Sequence, residues 1–171
     1  LINRPVQDTQ SLRGDCYQIP GMELVEGERR RLPVAGRHLE LEMSLDAATV
    51  ELCLDLLATP DGMEKTSLRI KPREGKLELD LRESSRSEQV KKPCLSVKLP
   101  GNQAGMLTLR VFLDGSVIEV SVNDQITLTG RAYPDDEQAE GLVLSSLGGR
   151  VKVQGLKIWK MKSIWPTSGA S

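Results

Sequence analysis

The stretch LRVFLDGSVIEVSVND, Leu109 to Asp124, decides the fold. Leu109, Val111 and Leu113 recur at every second position, and so do Ile118, Val120 and Val122. A side-chain period of two belongs to a strand with one face buried. Between the runs stands Asp114-Gly115, a pair that readily supplies the positive φ angles of a tight hairpin turn. The stretch therefore reads as two antiparallel strands, and it raises a question about Glu119. That acid is either one of a pair of catalytic carboxylates or a polar residue on the outer face of the sheet.

The same period extends outward. In HLELEMSL, Leu39, Leu41, Met43 and Leu45 point one way while Glu40, Glu42 and Ser44 point the other, and Val151 and Val153 alternate with Lys152 and Gln154. Tight-turn signals separate the runs at Pro60 to Gly62, Arg73 to Gly75, Asn123-Asp124 and Gly148-Gly149. Stripes of helical period are scarce. Many short strands joined by tight turns predict an all-β, two-sheet antiparallel sandwich of the concanavalin or jelly-roll kind, in one domain. The polar segment Leu81 to Pro93 reads as an exposed loop between two hairpins. With two Trp, two Tyr and one Phe in 171 residues, the core must be aliphatic.

Composition excludes several functions. Lys and Arg number 23 against 24 Asp and Glu, which leaves no basic excess for a row of phosphates, so no nucleic-acid partner is expected. No apolar run reaches the roughly 18 to 20 residues of a membrane helix, and no membrane partner is expected. Cys16, Cys53 and Cys94 form no CxxC pair and read as small apolar core residues. The single histidine, His38, opens a strand away from any GxSxG elbow, so a serine triad is not expected and His38 reads as a strand-edge residue. No spacing of His, Cys and carboxylates suggests a metal, no glycine loop fits a nucleotide, and no cofactor is expected. The turn LPGNQAG, Leu99 to Gly105, leads into a strand rather than a helix. Glu40, Glu42, Glu78 and Asp80 alternate with leucines and read as a solvated face. PDDEQAE, Pro134 to Glu140, reads as an exposed acidic loop, with calcium or ligand contact as the alternative.

Three segments carry a resemblance. LRVFLDGSVIEVSVND, TLTGRAYP (Thr127 to Pro134) and GLKIWKMKSIW (Gly155 to Trp165) together resemble the C-terminal β-sandwich of glycoside hydrolase family 32, the invertases, levanases and inulinases. The matching positions are Asp114, Ser116, Ile118 and Glu119, then Thr129, Arg131, Tyr133 and Pro134, then Trp159, Ser163 and Ile164. RPVQDTQSLRG (Arg4 to Gly14) looks like the segment leaving the family's catalytic domain, and Met63 to Ser85 looks like its paired strands. Ser121 and Gly130 depart from the family pattern, where phenylalanine and serine are usual.

The resemblance implies a layout: residues 1–20 leaving a catalytic domain, 21–165 forming the sandwich, and 166–171 a tail. It also implies that the chemistry belongs to an N-terminal five-bladed propeller, whose three catalytic motifs do not occur in these residues. No catalytic residue is therefore expected here. Glu119, Arg131, Tyr133, Asp114 and Ser116 become candidates for the propeller interface or for structural roles. The alternative is a carbohydrate-binding module, with Trp159, Trp165 and Tyr133 as possible sugar platforms. An unpartnered module would expose its docking patch, so self-association is also expected.

Overall fold

The computed structural model describes residues 10–46, 51–99 and 105–162. Its strands are β1 (Arg13–Leu24), β2 (Arg29–Arg31), β3 (His38–Asp46), β4 (Glu51–Ala58), β5 (Thr66–Lys71) and β6 (Lys76–Asp80). They continue with β7 (Cys94–Lys98), β8 (Met106–Asp114), β9 (Val117–Val122), β10 (Ile126–Arg131), β11 (Gly141–Gly148) and β12 (Val151–Met161). One six-stranded sheet, sheet A, runs β1-β12-β3-β8-β9-β10, and the other, sheet B, runs β2-β11-β4-β5-β6-β7. Every pairing is antiparallel. The expected sandwich is what forms.

The alternating apolar residues meet between the sheets. Leu39, Leu41, Met43 and Leu45 of β3, Leu107 to Leu113 of β8 at every second position, and Ile118, Val120 and Val122 of β9 face Leu54, Leu68, Ile70, Leu77 and Leu79 of sheet B. Each buried aliphatic side chain contributes about 1.5–3 kcal/mol. No aromatic ring belongs to this core among the described residues.

The hairpin at the centre of the sequence argument forms as expected. Asp114 pairs with Val117, so Gly115 and Ser116 make the turn, with Gly115 at φ +60°. At the next turn Asn123 and Asp124 both take positive φ, at 52° and 53°. Gly130 has a packing reason: it lies on the inner face opposite Ile118, where a Cβ would stand 2.6 Å from Leu79 Cδ2. The close approach of β10 to sheet B leaves no room there for the family's serine.

Several details could not be read from alternation. In β4 the register moves from Gly141↔Ala58 to Val143↔Asp55, so Leu56 and Leu57 together oppose Leu142. Leu57 takes φ +50°, and both leucines end up buried. Arg13 to Pro20 pair along β12 as the first part of β1, an edge strand that tolerates Pro20 because its outer side needs no N–H. The 81–93 segment joins β6 to its own neighbour β7, and Ser84 and Ser85 within it are buried. It is the long connection of one hairpin, anchored by Ser84 N–H donating to Leu81 C=O at 2.9 Å. Of the cysteines only Cys53 is buried, and it lies under the outer face of sheet B beside Asp55 rather than in the core; Cys16 and Cys94 are exposed, because each lies on an outer face near a sheet edge.

Candidate functional site

The outer face of sheet A is a set of cross-strand rows. One row runs Cys16, Trp159, Glu40, Phe112, Glu119 and Thr129; the next runs Gln18, Lys157, Glu42, Arg110, Ser121 and Thr127. Glu119 is exposed, with Phe112 and Thr129 beside it, and its carboxylate has no partner among the described residues. A cation opposite it would have closed it; a phenyl ring and a hydroxyl do not.

The other motif residues gather at the end of β8, β9 and β10. His38 Nδ1 lies 3.0 Å from Asp114 Oδ1, both exposed, so the strand-edge reading of His38 holds. Asp114, Val117 and Arg131 are in register. The Arg131 guanidinium beside the Tyr133 phenol lowers its pKa against the opposing effect of burial, and Ser116 lowers it further. Tyr133 is 45 % exposed. Asp114, Ser116, Arg131 and Tyr133 therefore form one corner, and Glu119 opens onto the same face two residues along β9 from Val117.

Trp159 lies elsewhere on that face. The Arg13 guanidinium sits 4.0 Å above its ring and also holds Glu40 through both nitrogens, Nε to Oε2 and Nη2 to Oε1, each at 2.6 Å. The accessible ring face is thus occupied by an arginine. β12 and β10 are separated by three strands, roughly 19 Å at ordinary strand spacing, so Trp159 and Tyr133 do not form one platform. Trp165, Ser163 and Ile164 lie outside the described residues.

The solvated-face reading of the alternating acids is corrected. Glu40 is 1 % exposed, and Glu78 and Asp80 are also buried; only Glu42 stays partly open. Long cations lie over the carboxylates, from neighbouring strands and, for Glu78 and Asp80, also from two residues away in the chain. Arg110 bonds Glu42 at 2.9 Å and approaches Glu40 at 3.7 Å. Arg82 donates twice to Asp80, at 2.9 and 2.6 Å, and Arg69 lies 3.4 Å away, which together hold the Asp80 carboxyl below its usual range against burial. Lys76 and Lys71 do the same for Glu78. Asp55, 1 % exposed, accepts from Ser67 Oγ at 2.7 Å and Arg29 Nη2 at 2.9 Å. Burial, with Asp55 beside it, pushes the Cys53 thiol up to about 12.

A carboxylate that sequence inspection missed joins the loops at the motif end. Glu64, 0 % exposed, accepts backbone N–H groups from Arg86 at 2.8 Å, Asp136 at 2.9 Å and Asp135 at 3.3 Å. Burial alone would raise its pKa, but these three donors outweigh it and leave the carboxyl below its ordinary value of 4.5. The acidic loop 134–140 thus contributes N–H groups inward while Asp135, Glu137 and Glu140 stay exposed. Among the described residues no group of His, Cys, Asp and Glu is arranged to hold a metal.

Residues 8–160 match the family described as Glycosyl hydrolases family 32 C terminal. A stretch of 64 residues is 36 % identical to the levanase of Bacillus subtilis (strain 168), covering 37 % of this chain and 10 % of that protein. Among solved structures, fructan 1-exohydrolase IIa from Cichorium intybus superposes with a TM-score of 0.81 at 17 % identity, over 94 % of this chain and 38 % of that one. Exo-inulinase from Aspergillus awamori gives 0.78 at 19 % identity, over 95 % and 32 %. Likeness at such identities concerns the fold. In each case the chain spans only a minor part of the relative's length.

Proposed function

The chain belongs to the glycosyl hydrolase family 32 C-terminal family, and from that premise we propose that it is the non-catalytic β-sandwich of an enzyme cleaving β-fructosides such as sucrose, levan or inulin. In this reading it packs on an N-terminal five-bladed propeller, which carries the catalytic carboxylates, and stabilises it. The observation that carries the reading is the contrast among the acids: Glu40, Asp55, Glu64, Glu78 and Asp80 are closed by partners, whereas Glu119 faces outward unpaired beside Phe112 and Thr129.

Retaining glycoside hydrolysis needs two carboxyl groups about 5 Å apart across the scissile bond. Glu119 has no second carboxylate as its cross-strand neighbour. It is better suited to receive a cation or N–H from another surface. The exposed Tyr133 and the nearby Arg131 and Asp114 would extend that contact, and β1 begins at Arg13 on the same side of sheet A, beside Trp159 and Glu40. An upstream domain would arrive there.

The test uses the parent enzyme and this chain side by side. Glu119→Lys combined with Tyr133→Ala is expected to lower the melting temperature of the parent enzyme's catalytic domain while leaving the urea midpoint of the isolated chain in place. An unchanged parent would remove the docking role. A reducing-sugar assay of the isolated chain on sucrose, levan and inulin is expected to stay at background, and turnover abolished by Glu119→Gln would make Glu119 catalytic after all.

A further inference from the structure

Two glycines on the paired strands β1 and β12, at one edge of sheet A, differ. Gly21 of β1 is demanded by packing, since a Cβ there would stand 2.7 Å from the Gln154 carbonyl oxygen. Gly155 of β12 is not, since a Cβ there would meet nothing within 4 Å. Nor does its backbone require glycine, because its φ lies outside the left-handed region. The register shift between Val153 and Gly155, which leaves Gln154 as an extra residue opposite β3, is a bulge that other residues can form. A strand glycine with neither reason marks a place where something else approaches the backbone.

Gly155 floors a groove of about 330 Å³ on the outer face, at the lower end of the roughly 300–1,000 Å³ of small-molecule sites. Pro20, Gly155 and Ser44 lie side by side across three strands as its floor, and Gln18, Lys157 and Glu42 form the adjoining row. Glu42 is already held by Arg110. The side chains of Gln18, Ser44 and Lys157 have no partner among the described residues, so an amide, a hydroxyl and an ammonium are free to bond a ligand.

We infer that this groove binds a neutral fructan oligosaccharide. The charged lining is one ammonium, Lys157, and one carboxylate, Glu42, which Arg110 already holds, so no cluster of like charge is there to select an ion. The mixture of donors and acceptors suits vicinal hydroxyl groups, which both donate and accept, while the Pro20 ring offers an apolar surface to the C–H side of a sugar ring. The groove has a single carboxylate, so it binds without cleaving. The choice of fructan rests on the function proposed above. Trp159, beside the Arg13 end of β1 where an upstream domain would arrive, is four residues from Gly155 along β12, roughly 13 Å. A chain held in the groove would therefore lie beside the domain that acts on it.

The experiment is isothermal titration of the 171-residue chain with levan and inulin oligosaccharides. Gly155→Leu projects a side chain into the groove from a Cβ position with nothing within 4 Å, and it is expected to keep the urea midpoint while weakening binding on the order of tenfold or more. Gln18→Ala with Lys157→Ala, both on exposed side chains, is expected to weaken binding too. Glu119→Lys, outside the groove, should bind as the parent chain does. Absence of binding, or binding that survives both groove variants, overturns the assignment. Failure of the docking reading would register separately, in the melting temperature of the parent enzyme, which Gly155→Leu is not expected to move.

Discussion

The outer faces of the two sheets begin from the same pattern and end differently. On sheet B, Asp55, Glu78 and Asp80 alternate with leucines, and arginines and lysines, some on adjacent strands and some two residues away in the chain, close each of them into a buried ion-pair network. On sheet A, Glu40 and Glu42 are closed in the same way by Arg13 and Arg110, but Glu119 is not, and beyond Lys157 the face opens into a groove. Alternation along a strand decides which way a side chain points. Whether it meets water, a cation or another surface is decided by partners that alternation does not show, many of them on other strands. A finished face holds the fold together, and an unfinished one is available to something outside the chain.

The comparison can be broken most sharply at Cys53. Its ordinary pKa of 9.0 is raised to about 12, so near pH 8 its thiolate fraction falls on the order of a thousandfold, and access is blocked as well. A thiol-reactive chromophore should label Cys16 and Cys94 of the native chain promptly and Cys53 only on unfolding. Rapid labelling of all three would mean that the face of sheet B is not closed.

Asp55→Ala comes next. It strands Arg29 and Ser67, and should cost about 3 kcal/mol in urea unfolding; a cost under about 1 kcal/mol would make the network ornamental. Glu64→Gln should cost on the order of 2 kcal/mol near neutral pH by weakening three charge-assisted bonds. Because the folded carboxyl lies below its unfolded value of 4.5, the folded state binds fewer protons there. The stabilisation is complete above about pH 4.5 and lost as pH falls through the lower, folded value. The gap between Glu64→Gln and the parent chain should therefore narrow below pH 4.5, and a constant gap would deny the linkage. The smallest effect belongs to Glu119→Gln in the isolated chain, within about 0.5 kcal/mol. A larger loss would show that Glu119 already has a structural task without a partner domain.

Much of this was legible in the sequence, and the reason is local. Leu39 to Leu45 and Ile118 to Val122 state their own period, and Asp114-Gly115 and Asn123-Asp124 mark their own turns. The corner formed by Asp114, Ser116, Arg131 and Tyr133 could be anticipated because its residues belong to one hairpin and its continuation. What stayed hidden is non-local. Nothing near Glu40 in the chain announces Arg13, 27 residues away. Nothing near Glu64 announces Asp136, 72 residues away. Gly155 looks like any strand glycine until the space above it is measured.

The aliphatic core has an optical consequence. Phe112 and Trp159 lie on the outer face of sheet A, Tyr17 on the edge strand β1 and Tyr133 beyond β10, so no described chromophore sits where the sheets pack. Trp159 emission is instead tuned by the Arg13 cation above its ring. Fluorescence from that indole will report on events at the outer face, while the assembly of the interior proceeds almost unseen and has to be followed through the backbone by far-ultraviolet circular dichroism. In one cuvette the two signals separate what the domain touches from how it folds.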